Sequence, residues 1–139
     1  MATTATSRDS LHLVFVYGTL QQGCSNHHIL AQARFLGPAH SREEYALYVD
    51  YFPKVVRQER VSVIHGELYL VDDYTLALLD DFEDHPFLYR RELIPVITDD
   101  GSETQAWIYF HPDASGQLVA SGDLKAWLAE QQEPSDAMD

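Results

Sequence analysis

The 139-residue chain has one cysteine, Cys24, which excludes an internal disulfide and any cysteine-rich zinc site. It is also poor in cations. Nine Lys and Arg stand against 22 Asp and Glu, a formal net charge of −13. Phosphate backbones are gripped by clustered Lys and Arg, so this balance argues against nucleic-acid binding. No apolar run approaches the ~18–20 residues of a membrane span. The opening MATTATSRDS lacks the basic-then-apolar order of a secretory signal. Together these absences describe a soluble, acidic, cytoplasmic protein without a membrane partner. There is no internal repeat and no low-complexity linker, which argues against a second domain. What is present is 45% hydrophobic and 12% aromatic residues, enough for a core in one domain of about 100–150 residues. The polar ends predict a loose tail over 1–10, a single folded domain over 11–129 and a frayed tail over 130–139.

The element pattern is irregular. LHLVFVY at 11–17 is almost wholly apolar, β-branched or aromatic, as in a strand buried on both faces. A short helix is expected over 26–33, capped by Ser25 or Asn26. Short strands are expected at 45–49 and 54–57 around a turn at Pro53, and a longer one over 61–71. Gly66 inside that strand marks a bulge or a close approach. Asp72 or Asp73 opens a helix over YTLALLDDFE, which Pro86 ends. Strands at 88–97 and 104–110 flank the turn Asp99-Asp100-Gly101, and a last helix begins after Ser121 or Asp123. Strands interrupted irregularly by helices predict an α+β fold with a mixed or antiparallel sheet.

Two places stand out chemically. In Tyr17-Gly18-Thr19-Leu20 a buried strand runs into glycine and a polar loop. Glycine frees φ and admits a close ligand, and successive N–H groups in such a turn can form an anion-binding concavity. An ordinary strand-to-turn exit gives the same pattern, and no Gly-Lys-Ser/Thr follows as in a Walker loop. The second place is Asp80-Asp81-Phe82-Glu83-Asp84, four carboxylates at a helix end where they oppose the macrodipole. Most read as a solvated acidic surface. Glu83 differs, because it lies at i+4 from Leu79 and i+7 from Leu76, on the inward stripe. A carboxylate turned towards a core is costly without a task or a partner.

The remaining candidates are weaker. Adjacent His27 and His28 diverge on a helix and share no metal, and the other histidines lack metal-ligand spacing. Cys24 reads as a bystander thiol, since a nucleophile needs a base and a lowered pKa. Most tyrosines are packing residues, while Tyr89 and Tyr109 are candidates to offer hydroxyls at a pocket rim. A charge of −13 also fits an interaction protein with basic partners.

VFVYGTL at 14–20 followed by GCSNHHIL at 23–30 resembles the opening of the γ-glutamylcyclotransferase-like, or AIG2-like, superfamily. GELYLVDDYTLALLDDFEDHPFLYRRELIPV at 66–96 resembles its second signature, and AWIYF at 106–110 its late strand. The Asn-His in the first loop and LDDFE before LYRR are most similar to the γ-glutamylaminecyclotransferase branch. The resemblance implies an α+β fold around a small mixed β-barrel with a few short helices. It implies that Tyr17, Gly18, Thr19 and Leu20 hold a small-molecule γ-glutamyl substrate and that Glu83 is the catalytic acid/base. It implies no cofactor and no metal. The expected reaction is cyclisation of a γ-glutamyl group to 5-oxoproline with release of an amine. The branch favours a γ-glutamyl amine, with glutathione or γ-glutamyl dipeptides as alternative substrates and a non-catalytic binding module as the alternative class. The segment YFPKVVRQERVSVI departs from the family pattern, with Lys54, Arg57, Gln58 and Glu59 where small residues are common. It is expected to line the leaving-group side.

Overall fold

The protein was analysed as a computed structural model, in which residues 11–132 are described. In chain order the elements are β1 (Leu11–Val16), a 3-10 turn (His27–Leu30), β2 (Arg34–Ser41), β3 (Ala46–Val49), β4 (Pro53–Val56), β5 (His65–Asp72), α1 (Asp73–Phe82), β6 (Arg90–Thr98), β7 (Glu103–Phe110), β8 (Gln117–Val119) and α2 (Leu124–Gln131). The expected tail over 1–10 and residues 133–139 of the other lie outside the described residues. Glu130 and Gln131, assigned to that tail from sequence, are helical.

Five strands form a closed mixed barrel in the order β1-β5-β2-β6-β7. The ring is completed where β7 meets β1 in parallel, at Val14 and Trp107. β4 joins β7 in parallel at Val55 and Phe110 and carries β3 and β8 as an extension. Strand alternation sorts side chains onto two faces. Phe15, Tyr17, Leu68, Ile94, Val96, Ala106, Ile108 and Phe110 fill the barrel interior. Val14, Val16, Tyr69, Val71 and Tyr109 point outward and are covered by Leu76 and Leu79 of α1 and Leu30 of the 3-10 turn. Both faces of β1 are thus buried over Val14–Val16, which explains the apolar run there.

The structure also departs from the sequence reading. β2 was not expected, yet it bridges β5 and β6. Its RFLGPAHS sequence bulges between Phe35 and Gly37, and Gly37 takes φ 117°, so its side chains do not alternate cleanly. The helix expected over 26–33 is only a 3-10 turn, because the Asn26 side chain bonds Thr19 Oγ1 at 2.8 Å instead of capping. Gly66 is a close approach, since a Cβ there would lie 2.2 Å from the carbonyl oxygen of Val16. Asp72 caps α1 by accepting the Thr75 N–H at 2.8 Å, and Asp123 caps α2 by accepting that of Ala126 at 3.1 Å.

Candidate functional site

Tyr17, Gly18, Thr19, Leu20, Glu83, Tyr89 and Tyr109 line one cavity of about 380 Å³. They arrive from three parts of the chain: the exit of β1, the end of α1 with the segment after it, and the end of β7.

The β1 exit is tightly held. The Tyr17 hydroxyl lies in the core, donates to the Tyr109 carbonyl at 2.7 Å and accepts the Val55 N–H at 3.2 Å. Burial pushes this phenol well above its ordinary value. Gln21 Nε2 donates to the carbonyls of Tyr17 and Gly18 at 2.9 and 3.2 Å. Asn26 grips Thr19 twice, its N–H reaching the Thr19 carbonyl at 2.9 Å and its side chain the hydroxyl. The carbonyls and side chains of the turn are therefore committed. The N–H groups of Gly18, Thr19 and Leu20 donate to no acceptor among the described residues. Successive N–H groups without acceptors are of the kind that can receive a carboxylate or an oxyanion. Gly18 is required here for space, not for a left-handed φ. A Cβ at this position would meet Pro53 Cγ at 2.8 Å.

Glu83 caps the C-terminus of α1. The helix ends in a Schellman turn, with the His85 N–H on the Asp80 carbonyl at 2.9 Å and the Asp84 N–H on that of Asp81 at 3.2 Å. Asp84 occupies the left-handed position at φ 55°, where glycine is usual. This turn, ahead of Pro86, stops the helix at Glu83, which lines the cavity. The Glu83 side chain is half-buried, and no described residue donates a hydrogen bond to its carboxyl. Withdrawal from water without compensation pushes that carboxyl up to about 7. It is thereby poised to take and return a proton near neutral pH.

A family profile described as gamma-glutamyl cyclotransferase, AIG2-like, matches residues 14–129. The chain belongs to that family. A Methanocaldococcus jannaschii protein named "Putative gamma-glutamylcyclotransferase MJ1514" is 46% identical over 116 residues, covering 83% of this chain and 97% of that one. The Danio rerio protein named gamma-glutamylaminecyclotransferase A is 36% identical over 115 residues, covering 72% of this chain and 71% of its own. The crystal structure of an AIG2-like protein from Mus musculus superposes with a TM-score of 0.69 at 28% identity, covering 76% of this chain and 80% of that one.

Around the cavity of this AIG2-like domain, buried Glu67 and half-buried Asp80 hold the framework. Glu67 Oε1 accepts the Gln22 N–H and the Tyr69 hydroxyl, both at 2.9 Å, while Oε2 meets Lys125 Nζ at 2.9 Å. Asp80 accepts Arg91 Nε at 2.8 Å, Arg91 Nη2 at 3.0 Å and the Tyr109 hydroxyl at 2.7 Å. Burial opposes the Asp80 charge, but these bonds outweigh it and hold the carboxyl below its ordinary value. Arg91 also stacks 4.4 Å from the Trp107 ring. Asp80 is thus a structural anchor and not the solvated acid that the sequence suggested.

Tyr89 and Tyr109 line the cavity with their rings, but their hydroxyl protons are committed to the Pro53 carbonyl at 2.8 Å and to Asp80. The expected rim hydroxyls are therefore not free donors. Of the segment YFPKVVRQERVSVI, Tyr51, Phe52 and Pro53 line the cavity and the residues from Lys54 onward do not. Lys54 is buried against Asp50 at 2.7 Å, and Arg57 pairs with Glu92 at 3.1 Å. The wall there is formed by Tyr51 and Phe52 at the start of YFPKVVRQERVSVI together with Phe82 and Leu88, the last two not singled out from sequence. Cys24 does not line the cavity, and burial pushes its thiol up, away from reactivity. No group of three or more His, Cys, Asp or Glu side chains could hold a metal ion among the described residues. No helix of these residues is long and apolar enough to cross a membrane.

Proposed function

We propose that the protein cyclises the γ-glutamyl group of a γ-glutamyl amine or amide to 5-oxoproline and releases the free amine. The substrate carries its own nucleophile. Its α-amine attacks the γ-carbonyl carbon, the lactam C–N bond forms, and the amide C–N bond breaks. On going from ammonium to lactam N–H the α-nitrogen loses two protons, and the departing nitrogen gains both and leaves as an ammonium, so atoms and charge balance without water or a covalent enzyme intermediate.

Glu83 takes a proton from the α-ammonium before attack, gives it to the leaving nitrogen as the amide C–N bond breaks, and relays the second proton from the ring nitrogen in the same way. The N–H groups of Gly18, Thr19 and Leu20 hold the substrate α-carboxylate or the oxyanion of the tetrahedral intermediate. The cavity walls fold the chain so that amine and carbonyl meet, an orientation effect with a ceiling of about 7–11 kcal/mol. The observation carrying this reading is Glu83 itself, a half-buried carboxylate without a protein donor that shares a cavity with three free N–H groups. Family membership supports the γ-glutamyl class.

The test is incubation with γ-glutamyl-ε-lysine, γ-glutamyl-alanine, glutathione and γ-glutamyl-phenethylamide in water enriched in ¹⁸O, read by mass spectrometry. Cyclisation yields 5-oxoproline without the label, and the Glu83→Gln variant yields little. Labelled glutamate would mean hydrolysis, and no product from any member would mean a binding role.

A further inference from the structure

The cavity lining divides by chemistry. The β1-exit turn, Ser25, Asn26 and Glu83 provide its polar part. The rest is apolar or aromatic: Tyr51, Phe52, Pro53, Phe82 and Leu88 continue the wall from the rings of Tyr89 and Tyr109. Glu83 is the one charged side chain in the lining, and no Lys, Arg or His belongs to it among the described residues.

The cations nearby are already taken. Lys54 is 3% exposed and lies 5.5 Å from the Phe52 ring, but its charge is matched by Asp50 and its Nζ also donates to Ser115. That pair holds the Asp50 carboxyl down to about 2. Arg91 is committed to Asp80, and Lys125 to Glu67. His111 packs 4.9 Å from Tyr89 and 6.1 Å from Phe52, but burial lowers its pKa and keeps the ring neutral.

We infer that the leaving group this site takes is an apolar aryl- or alkylamine without a carboxylate, and not an amino acid or a peptide. The inference rests on the γ-glutamyl cyclisation proposed above. An amino-acid leaving group brings a carboxylate against an apolar wall where no cation meets it, so any water it gives up there is not replaced by an ion pair. The chain's −13 charge adds a general repulsion. An aromatic or alkyl amine gains contact with Phe52, Phe82 and Leu88 and leaves no polar group unpaired.

The test uses a matched pair. γ-Glutamyl-phenethylamide and γ-glutamyl-phenylalanine differ only by the carboxylate, and 5-oxoproline release gives kcat/KM for each. The amide without the carboxylate is expected to be better by about tenfold or more. Tyr51 is 99% exposed, so Tyr51→Arg adds a cation at the wall without disturbing the core. This variant is expected to raise kcat/KM for the phenylalanine conjugate and narrow the ratio. Equal or better turnover of γ-glutamyl-phenylalanine would overturn the inference and leave the cyclisation standing. So would faster turnover of γ-glutamyl-ε-lysine or glutathione than of the phenethylamide. Absence of 5-oxoproline from every compound would remove both.

Discussion

The carboxylate of Glu67 on β5 accepts the backbone N–H of Gln22 at 2.9 Å, across 45 residues of sequence. This bond ties the loop after β1 to the barrel wall, close in sequence to the cavity-lining residues Gly18, Thr19 and Leu20. Glu67→Ala leaves the Gln22 N–H and the Tyr69 hydroxyl without their acceptor, and costs about 2 kcal/mol of stability. Glu67→Gln keeps an acceptor and loses only the partner of half-exposed Lys125, which costs about 1 kcal/mol or less. Denaturation midpoints separate the two variants. If Glu67 positions the loop, KM for the γ-glutamyl substrate rises in the alanine variant and is largely rescued by glutamine.

Glu83 makes stability depend on pH in a defined direction. Its folded-state pKa of about 7 lies above the ordinary 4.5. Between these values the native state binds more protons than the unfolded state, so stability falls as pH rises through that window. The cost above pH 7 is on the order of 3 kcal/mol. Glu83→Gln carries no such charge. It is therefore expected to be more stable than the parent at pH 8 and to converge with it near pH 4.5, as read by urea denaturation at both values.

Asp80 and Arg91 tie the end of α1 to β6, with Tyr109 from β7 as a third partner. Asp80→Asn removes the charge that answers Arg91 and is expected to cost about 2 kcal/mol. Tyr109→Phe leaves Asp80 two other hydrogen bonds and costs about 1 kcal/mol. Thermal melts of the two variants test the ranking.

Two glycines are predicted to behave oppositely. At Gly66 a Cβ would strike the Val16 carbonyl at 2.2 Å, inside paired backbone that cannot yield. Gly66→Ala is expected to destabilise by about 3 kcal/mol. At Gly18 the obstacle is Pro53 Cγ at 2.8 Å, on the cavity wall. Gly18→Ala is expected to fold and to raise KM. A melting curve and a substrate titration of each variant check both.

What the sequence revealed follows from periodicity and local chemistry. β1, α1, β6 and β7 carry clear patterns, and Glu83 was visible as a carboxylate on the stripe of Leu76 and Leu79. β2 was hidden because Gly37 and its bulge break the alternation. Asp80 looked solvated because Arg91, its partner 11 residues away, lies across a Schellman turn that no spacing rule reveals. Glu67 offered a usable signal, a carboxylate inside an apolar strand, by the same reasoning that singled out Glu83. Segment 51–64 meets the cavity only at Tyr51, Phe52 and Pro53, because Lys54 and Arg57 are held in ion pairs with Asp50 and Glu92 that spacing does not reveal.

The central claim is that Glu83 carries the proton. The most direct measurement is kcat/KM against pH for the parent and for Glu83→Gln, with 5-oxoproline release as the readout. The account predicts an acid limb with a midpoint near 7 in the parent, where the base must be ionised. In the variant it predicts a loss of about 10²- to 10⁴-fold and no such limb. Turnover by Glu83→Gln within a few-fold of the parent, with the same limb, would contradict it.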